Sequence, residues 1–274
     1  MLLGGLCPPR ASREPMLPTH PATAEVVLSI TSIPERIELF LSQIAWVERQ
    51  VVQPHTTVIW LGEESFSPAR RAELAQRFPL PPGVELRYRP DLGPQTKLLY
   101  ALQEFPDLPI VTADDDIIYP PEWLALLANA HREEPQQIQC CRAHRIRLTN
   151  QGRLAPYRDW DWLADGLRGP SPLLFPTGVS GVLYPPGTLS TQVFDHETMR
   201  RLCPTADDAW FKAMALLQGS SARKVHAESL TFPHIPGSEC RMLWTINVER
   251  NDTQLAALFD YYQLYDRLHG AEHA

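Results

Sequence analysis

The feature that most constrains the fold is a regular alternation of short apolar runs and helical segments between residues 25 and 136. Such alternation predicts a mostly parallel central sheet flanked by helices, with ligands bound beyond the carboxyl ends of the strands. The apolar runs lie at 26–30, 57–61, 84–88 and 108–113, and the helices are predicted at 37–49, 68–78, 96–105 and 121–132.

Three consecutive aspartates, Asp114, Asp115 and Asp116, directly follow the last of these apolar runs. Their charges repel one another unless a cation lies among them. Because side chains alternate along a strand, we expect Asp114 and Asp116 to face the same side. Two carboxylates on one side suit Mg²⁺ or Mn²⁺, with a diphosphate completing the coordination shell. A solvated turn or a helix N-cap remains the alternative.

Length and composition limit the classes of protein that fit. A chain of 274 residues with 44% hydrophobic residues supports one sizeable core. The net charge of -7 argues against a dedicated nucleic-acid binder, which carries a basic face. The five cysteines form no CxxC pair, so we expect a reducing compartment rather than a disulfide framework or a zinc site. No apolar run reaches about 18 residues, so we predict no membrane span.

The chain is divided into a leader and a single domain. Residues 1–24 are rich in Pro, Ala and Thr and are predicted to be a disordered leader. Its opening apolar run is too short for a signal-peptide core and lacks a basic start. The domain spans 25–274, with a regular half at 25–136 and an irregular half at 137–274. The irregular half is predicted to contain a strand at 137–148, a long loop at 150–176, a helix at 205–218, a strand at 224–231 and a terminal helix at 254–269.

Charged residues stand at two predicted helix starts. Lys97 lies where free N–H groups and the helix dipole favour phosphate, although a surface lysine is the alternative. Asp207 and Asp208 open the helix at 205–218, where capping explains one acid. Neighbouring helical side chains point about 100° apart, so we expect only one of these two acids to face a cleft.

The Asp114-x-Asp116 pattern resembles the DxD motif of GT-A glycosyltransferases. Four further segments resemble that family in the expected order. They are the first-strand nucleotide loop at 29–36, a donor-site segment at 91–98, a glycine-containing acceptor segment at 177–187 and an acidic xED-like motif at 203–210. Together they resemble bacterial glycosyltransferases of capsule and lipopolysaccharide gene clusters, over roughly residues 25 to 265.

The resemblance implies a GT-A, Rossmann-like α/β fold with a nucleotide-sugar-binding half at 25–136 and an acceptor-binding half at 137–274. It implies that a Mn²⁺ or Mg²⁺ ion is bound by Asp114, Asp116 and a late histidine, His234. His226 is a competitor, and a structural histidine is the alternative for both. Contacts to the nucleotide-sugar are then expected from Thr31, Ser32, Arg36, Lys97, Asp114 and Asp115.

On the acceptor side, the resemblance matches Asp208 to the general base of inverting members, with Asp207 as second choice. Asp207 stands where the family usually has Glu. Segment 157–162 interleaves tryptophans with charged residues, which can stack on sugars or anchor the loop. Segment 142–147 is basic and can bind a diphosphate of the donor or of a lipid-linked acceptor, or form a solvated face. Expected acceptor contacts are Thr177, Gly178, Gly181, Trp160 and Trp162.

The predicted function is therefore a metal-dependent, inverting glycosyltransferase of surface polysaccharide synthesis. The donor is a nucleoside-diphosphate sugar, with UDP-sugars favoured, and the acceptor is a glycan or lipid-linked hydroxyl. We expect a cytoplasmic protein, with peripheral association at the inner face of the membrane left open. One alternative is a sugar-nucleotide nucleotidyltransferase. That class has a glycine-rich phosphate loop after its first strand, whereas segment 31–36 contains no glycine. The other is a non-catalytic carbohydrate- or nucleotide-binding protein, which has no need of a base.

Overall fold

A computed structural model describes residues 22–238 and 243–268 of the chain. Within these ranges the strands form one seven-stranded sheet and one two-stranded sheet. The strands are β1 (Ala22–Thr31), β2 (Val52–Gly62), β3 (Val84–Arg89), β4 (Ile110–Asp114), β5 (Ile138–Cys140), β6 (Ala143–Arg145), β7 (Leu174–Pro176), β8 (Val182–Tyr184) and β9 (Ala222–Lys224).

The strand order of the large sheet is β3-β2-β1-β4-β8-β5-β9, and β6 pairs with β7 in the small one. β1 is parallel to both β2 and β4, and β2 is parallel to β3. β8 runs antiparallel between β4 and β5, whereas β5 and β9 are parallel. The sheet is mostly parallel, which confirms the α/β class expected from the alternating pattern.

Helices cover both faces of the large sheet. In the described ranges they are α1 (Ile37–Ser42), α2 (Pro68–Arg77), α3 (Thr96–Glu104), α4 (Trp123–Glu133), α5 (His196–Leu202), α6 (Asp207–Gln218) and α7 (Leu243–Tyr262). Strand residues alternate between two buried cores, so that Val58 and Trp60 face α3, α6 and α7, whereas Ile59 and Leu61 face α1, α2 and α4. Both faces of the sheet are therefore buried against helices, as is general for parallel sheets.

The register of the sheet positions the candidate site. Thr31 at the end of β1 pairs with Asp114 at the end of β4. The loop at 31–36 and the aspartate triplet are therefore neighbours at the carboxyl edge of the sheet. This is the edge at which open α/β sheets bind ligands.

The irregular half departs from the sequence prediction. The strand expected at 137–148 is divided into β5 and β6, and the one expected at 224–231 ends at Lys224. β8 and α5 lie where no element is predicted. β8 is only three residues long, and its ladder comes from β4 and β5, so no local periodicity could reveal it.

The boundaries of three elements also differ. β1 begins at Ala22, ahead of the expected start at Glu25, so the last residues of the predicted leader belong to the sheet. The helix expected at 37–49 ends as α1 at Ser42, and α7 begins well before residue 254. The terminal helix expected to run to residue 269 ends as α7 at Tyr262. Most of the predicted leader lies outside the described residues. None of the helices in the described ranges combines the length and apolarity that a bilayer span requires.

Candidate active site

β4 ends at Asp114, and Asp115 and Asp116 lie in the turn that follows. Strand alternation therefore does not set the directions of Asp114 and Asp116, contrary to the sequence expectation. Each of the three carboxylates has its own partners, and these partners come from distant parts of the chain.

Asp115 is the most buried member of the triplet, at 3% exposure. Nη2 of Arg36 lies 2.7 Å from its Oδ1, and Nε of Arg36 donates to its Oδ2 at 3.1 Å. The Ser32 hydroxyl donates to the same Oδ2. Burial raises the pKa of Asp115, and the Arg36 guanidinium opposes that rise. These contacts fasten the loop at 31–36 to the end of β4. The Thr31 hydroxyl takes part in the sheet instead, donating to the Trp60 carbonyl at 3.0 Å.

His234 lies beside Asp116 because the backbone of its segment pairs with the turn. Ile117 and His234 form an isolated antiparallel bridge, and the Ile235 N–H donates to the Asp116 carbonyl at 2.7 Å. Nδ1 of His234 is 3.9 Å from Oδ2 of Asp116, and the imidazole is 45% exposed. The competing histidine, His226, borders a surface groove beside α4.

Asp116 carries negative charge that its neighbours balance only in part. Burial, followed by the adjacent Asp114 and Asp115, raises the pKa of Asp116 to about 6. Nη1 of Arg36 approaches it at 3.5 Å. A divalent cation would relieve this repulsion, and carboxylate with imidazole is a donor set that fits Mn²⁺ or Mg²⁺.

The protein side chains alone do not complete such a site. Among residues 22–238 and 243–268, no three His, Cys, Asp or Glu side chains are already grouped in a metal-binding arrangement. Waters and a bound diphosphate would have to provide the other ligands, as is usual for Mg²⁺.

Lys97 is the central side chain of the site. It is the second residue of α3, and it is only 6% exposed. Its Nζ lies 2.7 Å from Oδ1 of Asp114 and 2.9 Å from Oδ2 of Asp207. Burial by itself would lower the pKa of Lys97, but Asp114, Asp207 and Asp208 outweigh it and hold the pKa well above its ordinary value. Lys97 is therefore an internal link between β4 and α6, and not the surface lysine of the alternative reading.

Asp208 is the more accessible of the two acids at the start of α6. Its Oδ1 accepts a hydrogen bond from the Gly178 N–H at 2.9 Å. A Cβ atom on Gly178 would lie 3.1 Å from that oxygen and 3.1 Å from Nζ of Lys97, so glycine permits this close approach. Burial, followed by the adjacent Asp207, raises the pKa of Asp208 well above its ordinary value.

A small internal cavity borders Asp208, with Tyr184, Lys212 and Ser220 in its lining. Its volume of about 10 Å³ has room for roughly one water molecule, so a sugar does not fit there. Lys212 is buried, donates to the Pro172 carbonyl at 2.6 Å, and has its pKa lowered by burial to about 7.

The glycine-containing segment is tied to the aspartate triplet by two aromatic residues that the sequence analysis did not identify. The Tyr119 hydroxyl accepts from the Asp114 N–H at 2.9 Å and donates to the Val179 carbonyl at 3.1 Å. Gly181 has φ +97°, and a Cβ atom there would lie 2.5 Å from the Trp123 ring. The sequence signal that could have indicated Tyr119 and Trp123 is their position only a few residues after the aspartate triplet.

The two tryptophans predicted to bind the acceptor have different surroundings. Trp160 is 3% exposed, packs against Phe175 and donates from Nε1 to the Ala155 carbonyl at 3.0 Å. Trp160 therefore anchors the loop and is not available to a sugar, which corrects the prediction. Trp162 is 38% exposed, and its ring lies 4.8 Å from that of His144.

No protein-family model and no curated protein sequence matches this chain. Among solved structures, it is similar to the mannosyltransferase PcManGT from Pyrobaculum calidifontis in complex with GDP-Man and Mn²⁺. That likeness has a TM-score of 0.50 and 14% identity, and it covers 88% of this chain and 66% of that one. The chain is also similar to S. aureus TarS 1–349, with a TM-score of 0.41, 13% identity, and coverage of 76% of this chain and 59% of that one.

The chain thus spans less than two thirds of the length of either structure. At this identity the likeness to the mannosyltransferase establishes the fold alone. Together with the observed strand order, it places the chain in the GT-A-like, Rossmann-type α/β class, as the sequence predicted.

Proposed function

We propose that this protein is a metal-dependent, inverting glycosyltransferase that moves a sugar from a nucleoside-diphosphate sugar to a hydroxyl group of a glycan or lipid-linked acceptor. The observation that carries the proposal is the position of Lys97 between Asp114 and Asp207. One buried ammonium joins the strand end expected to face the donor to the helix start that bears the candidate base. Binding of the sugar donor and proton transfer from the acceptor can therefore take place within one site.

Asp208 is assigned as the general base. General-base catalysis works best when the pKa of the base is near the working pH, and the raised pKa of Asp208 is a step in that direction. In an inverting transfer its carboxylate accepts the proton of the acceptor hydroxyl while that oxygen attacks the anomeric carbon. The bond to the nucleoside diphosphate breaks on the opposite face of the sugar. The inverting stereochemistry is inferred from the resemblance of segment 203–210 to the xED motif.

Asp116 and His234 are assigned to hold Mn²⁺ or Mg²⁺, with Asp114 as a further ligand in competition with Lys97. When bound, such an ion neutralises charge on a leaving diphosphate. Arg36 and Ser32 keep the nucleotide loop in place through Asp115. The mannosyltransferase with GDP-Man and Mn²⁺ supports this class of ligand. UDP-sugars remain the favoured donors, and GDP-sugars belong in the same test.

The setting proposed for the reaction is surface polysaccharide synthesis on the cytoplasmic side of a membrane. The resemblance to transferases of capsule and lipopolysaccharide clusters supports the pathway. Cys140, Cys141 and Cys203 are all free and buried, which is in keeping with a reducing compartment.

Calorimetric titration of UDP and GDP, each with and without Mn²⁺, tests the donor side. We expect Mn²⁺-dependent binding that Asp116→Asn abolishes, whereas Asp107→Asn, a change at an exposed aspartate between α3 and β4, leaves it intact. In a parallel melting experiment, ligand at about 100 Kd should add about 2.7 kcal/mol to the wild type.

Four results would contradict parts of the proposal. Unchanged Mn²⁺-dependent affinity in Asp116→Asn would remove Asp116 from the metal site. Full transfer activity in EDTA would remove the metal from the mechanism. Donor binding with neither transfer nor donor hydrolysis would favour the carbohydrate- or nucleotide-binding alternative, and release of pyrophosphate from a nucleoside triphosphate and a sugar phosphate would favour the nucleotidyltransferase.

A further inference from the structure

Arg142 is a charged residue near the base that the proposed reaction does not use. Its side chain is partly buried, and its Nε has no hydrogen-bond partner. Across the described ranges no carboxylate lies within ion-pair distance of it. Burial lowers the pKa of Arg142, and the carboxylate that counteracts this effect is that of Asp208. A partly buried guanidinium without a partner is costly for a protein, unless a ligand supplies the missing anion.

The backbone places Arg142 close to the base. The Arg142 carbonyl accepts a hydrogen bond from the Thr177 N–H at 3.1 Å, and the next residue, Gly178, donates its N–H to Asp208. Thr177 is 6% exposed, and its Oγ1 has no hydrogen-bond partner. Two polar groups without partners, one cationic and one hydroxyl, therefore flank the carboxylate assigned to the acceptor hydroxyl.

A buried histidine lies between Arg142 and an exposed aromatic ring. Arg142 directly precedes β6, and His144 is the middle residue of that strand. Burial and the charge of Arg142 lower the pKa of His144 to about 3, which keeps its imidazole neutral. The His144 ring contacts Trp162, whose own ring is 38% exposed. The chain of contacts thus runs from the base, past a guanidinium and a buried imidazole, to an exposed aromatic ring.

The other two arginines of the basic segment do not share this position. Arg147 is already paired with Asp161, with Nε donating at 2.8 Å and Nη2 at 2.8 Å from the second oxygen. Arg145 lies on the opposite face of β6 from His144. Only the first arginine of the segment is therefore both unpaired and next to the base.

We propose that Arg142 binds an anionic substituent, a carboxylate or a phosphate, on the acceptor sugar, while Trp162 stacks on its ring. A guanidinium recognises such groups through paired N–H donors, and an aromatic face suits the apolar face of a sugar. This inference rests on the proposed function, because it takes Asp208 as the acceptor-side base. The donor diphosphate is expected at the aspartate triplet, and Arg142 interacts with Asp208 rather than with the triplet.

The test compares matched saccharides by calorimetric titration of the full chain, without metal or nucleotide. Methyl β-D-glucuronide carries the carboxylate, glucose 6-phosphate carries the phosphate, and methyl β-D-glucoside is the neutral control. We expect the wild type to bind one of the two anionic sugars at least about tenfold more tightly than the glucoside, since hydrogen bonds to charged groups are the stronger ones. The tighter of the two identifies the anion.

Variants show whether Arg142 is responsible for the preference for an anionic sugar. Arg142→Gln should abolish it, Arg142→Lys should keep part of it, and Arg147→Gln should leave it as in the wild type. Inorganic phosphate titrated into each variant separates recognition of an anion from recognition of a sugar. An anion preference that survives Arg142→Gln, or equal affinity of the wild type for all three saccharides, including no binding of any, overturns the proposal.

The result is independent of the donor-side test. If UDP and GDP fail to bind while the Arg142-dependent preference is present, the proposed transferase is wrong and the anionic-sugar site stands. If the nucleotides bind with Mn²⁺ and the preference is absent, the donor side of the proposed transferase stands and the anionic-sugar site is wrong. Melting temperatures of all variants show whether a loss of binding comes from loss of the fold.

Discussion

Two acidic clusters lie at the same edge of the sheet, and they differ in how their charges are balanced. In the triplet, Asp115 is fully paired, whereas Asp116 faces an exposed imidazole and retains excess negative charge. At the start of α6, Asp207 is paired with Lys97, whereas Asp208 has a single backbone donor. In each cluster one carboxylate is held by charged side chains of the protein, and another is available to a ligand or a proton.

The difference lies in what each free acid can attract. Asp116 lies beside two like charges, those of Asp114 and Asp115, which favours a cation. Asp208 accepts one backbone N–H, and burial raises its pKa well above the ordinary value, which favours a proton. Lys97 touches both clusters, so the same side chain fixes their separation.

The largest effect is expected at the base. Asp208→Asn should lower kcat by about 10²–10⁴-fold and leave donor affinity unchanged, because the group acts on the acceptor. Asp207→Asn is the matched control and should reduce transfer less, since its partner is Lys97. Because the pKa of Asp208 is raised, wild-type transfer should already decline on acidification at a pH where an ordinary carboxylate remains ionised.

Donor affinity, transfer rate and the pH profile of both variants test this difference. If Asp207→Asn is the inactive variant, the roles of the two acids are reversed. If both variants transfer at the wild-type rate, neither acid is the base, and the inverting mechanism loses its main support.

The second effect concerns the link between the clusters. Lys97→Met should lower the free energy of unfolding by about 3–5 kcal/mol, because two carboxylates lose their buried partner. Lys212→Met removes a similarly buried lysine that donates to a carbonyl and not to a carboxylate, so about 1 kcal/mol is expected there. Urea unfolding of both variants measures the difference. Equal losses would show that the ion pairs of Lys97 add nothing to its burial.

The smallest effect concerns the turn at 178–181, in which the Gly178 N–H donates a hydrogen bond to Asp208. Gly181→Ala should cost about 1–3 kcal/mol more than Gly187→Ala, because its Cβ would enter the Trp123 ring. Gly187 also has positive φ, at +74°, but nothing lies within 4 Å of a Cβ there. The control thus isolates packing from backbone strain. Thermal or urea unfolding measures both changes, and equal losses would mean that the ring moves aside without cost.

Much of the fold followed from local pattern in the first half of the chain. The apolar runs before Asp114 and the helix signals between them predicted a parallel sheet, since burial on both faces demands continuous β-branched runs. The second half was harder, because β8 gains its hydrogen bonds from strands far away in sequence. The helix predicted at 205–218 is present as α6 (Asp207–Gln218), although its apolar residues run almost without a break and form no single apolar face.

The sequence by itself determined that carboxylates stand at the end of β4 and at the start of α6, because strand and helix periods are local properties. Only the tertiary structure decided that Lys97 joins them, that Trp160 is buried while Trp162 is open, and that Arg142 has no partner. Pairing and burial depend on which segments pack together, and the cost of a desolvated charge is set by neighbours that no local period specifies.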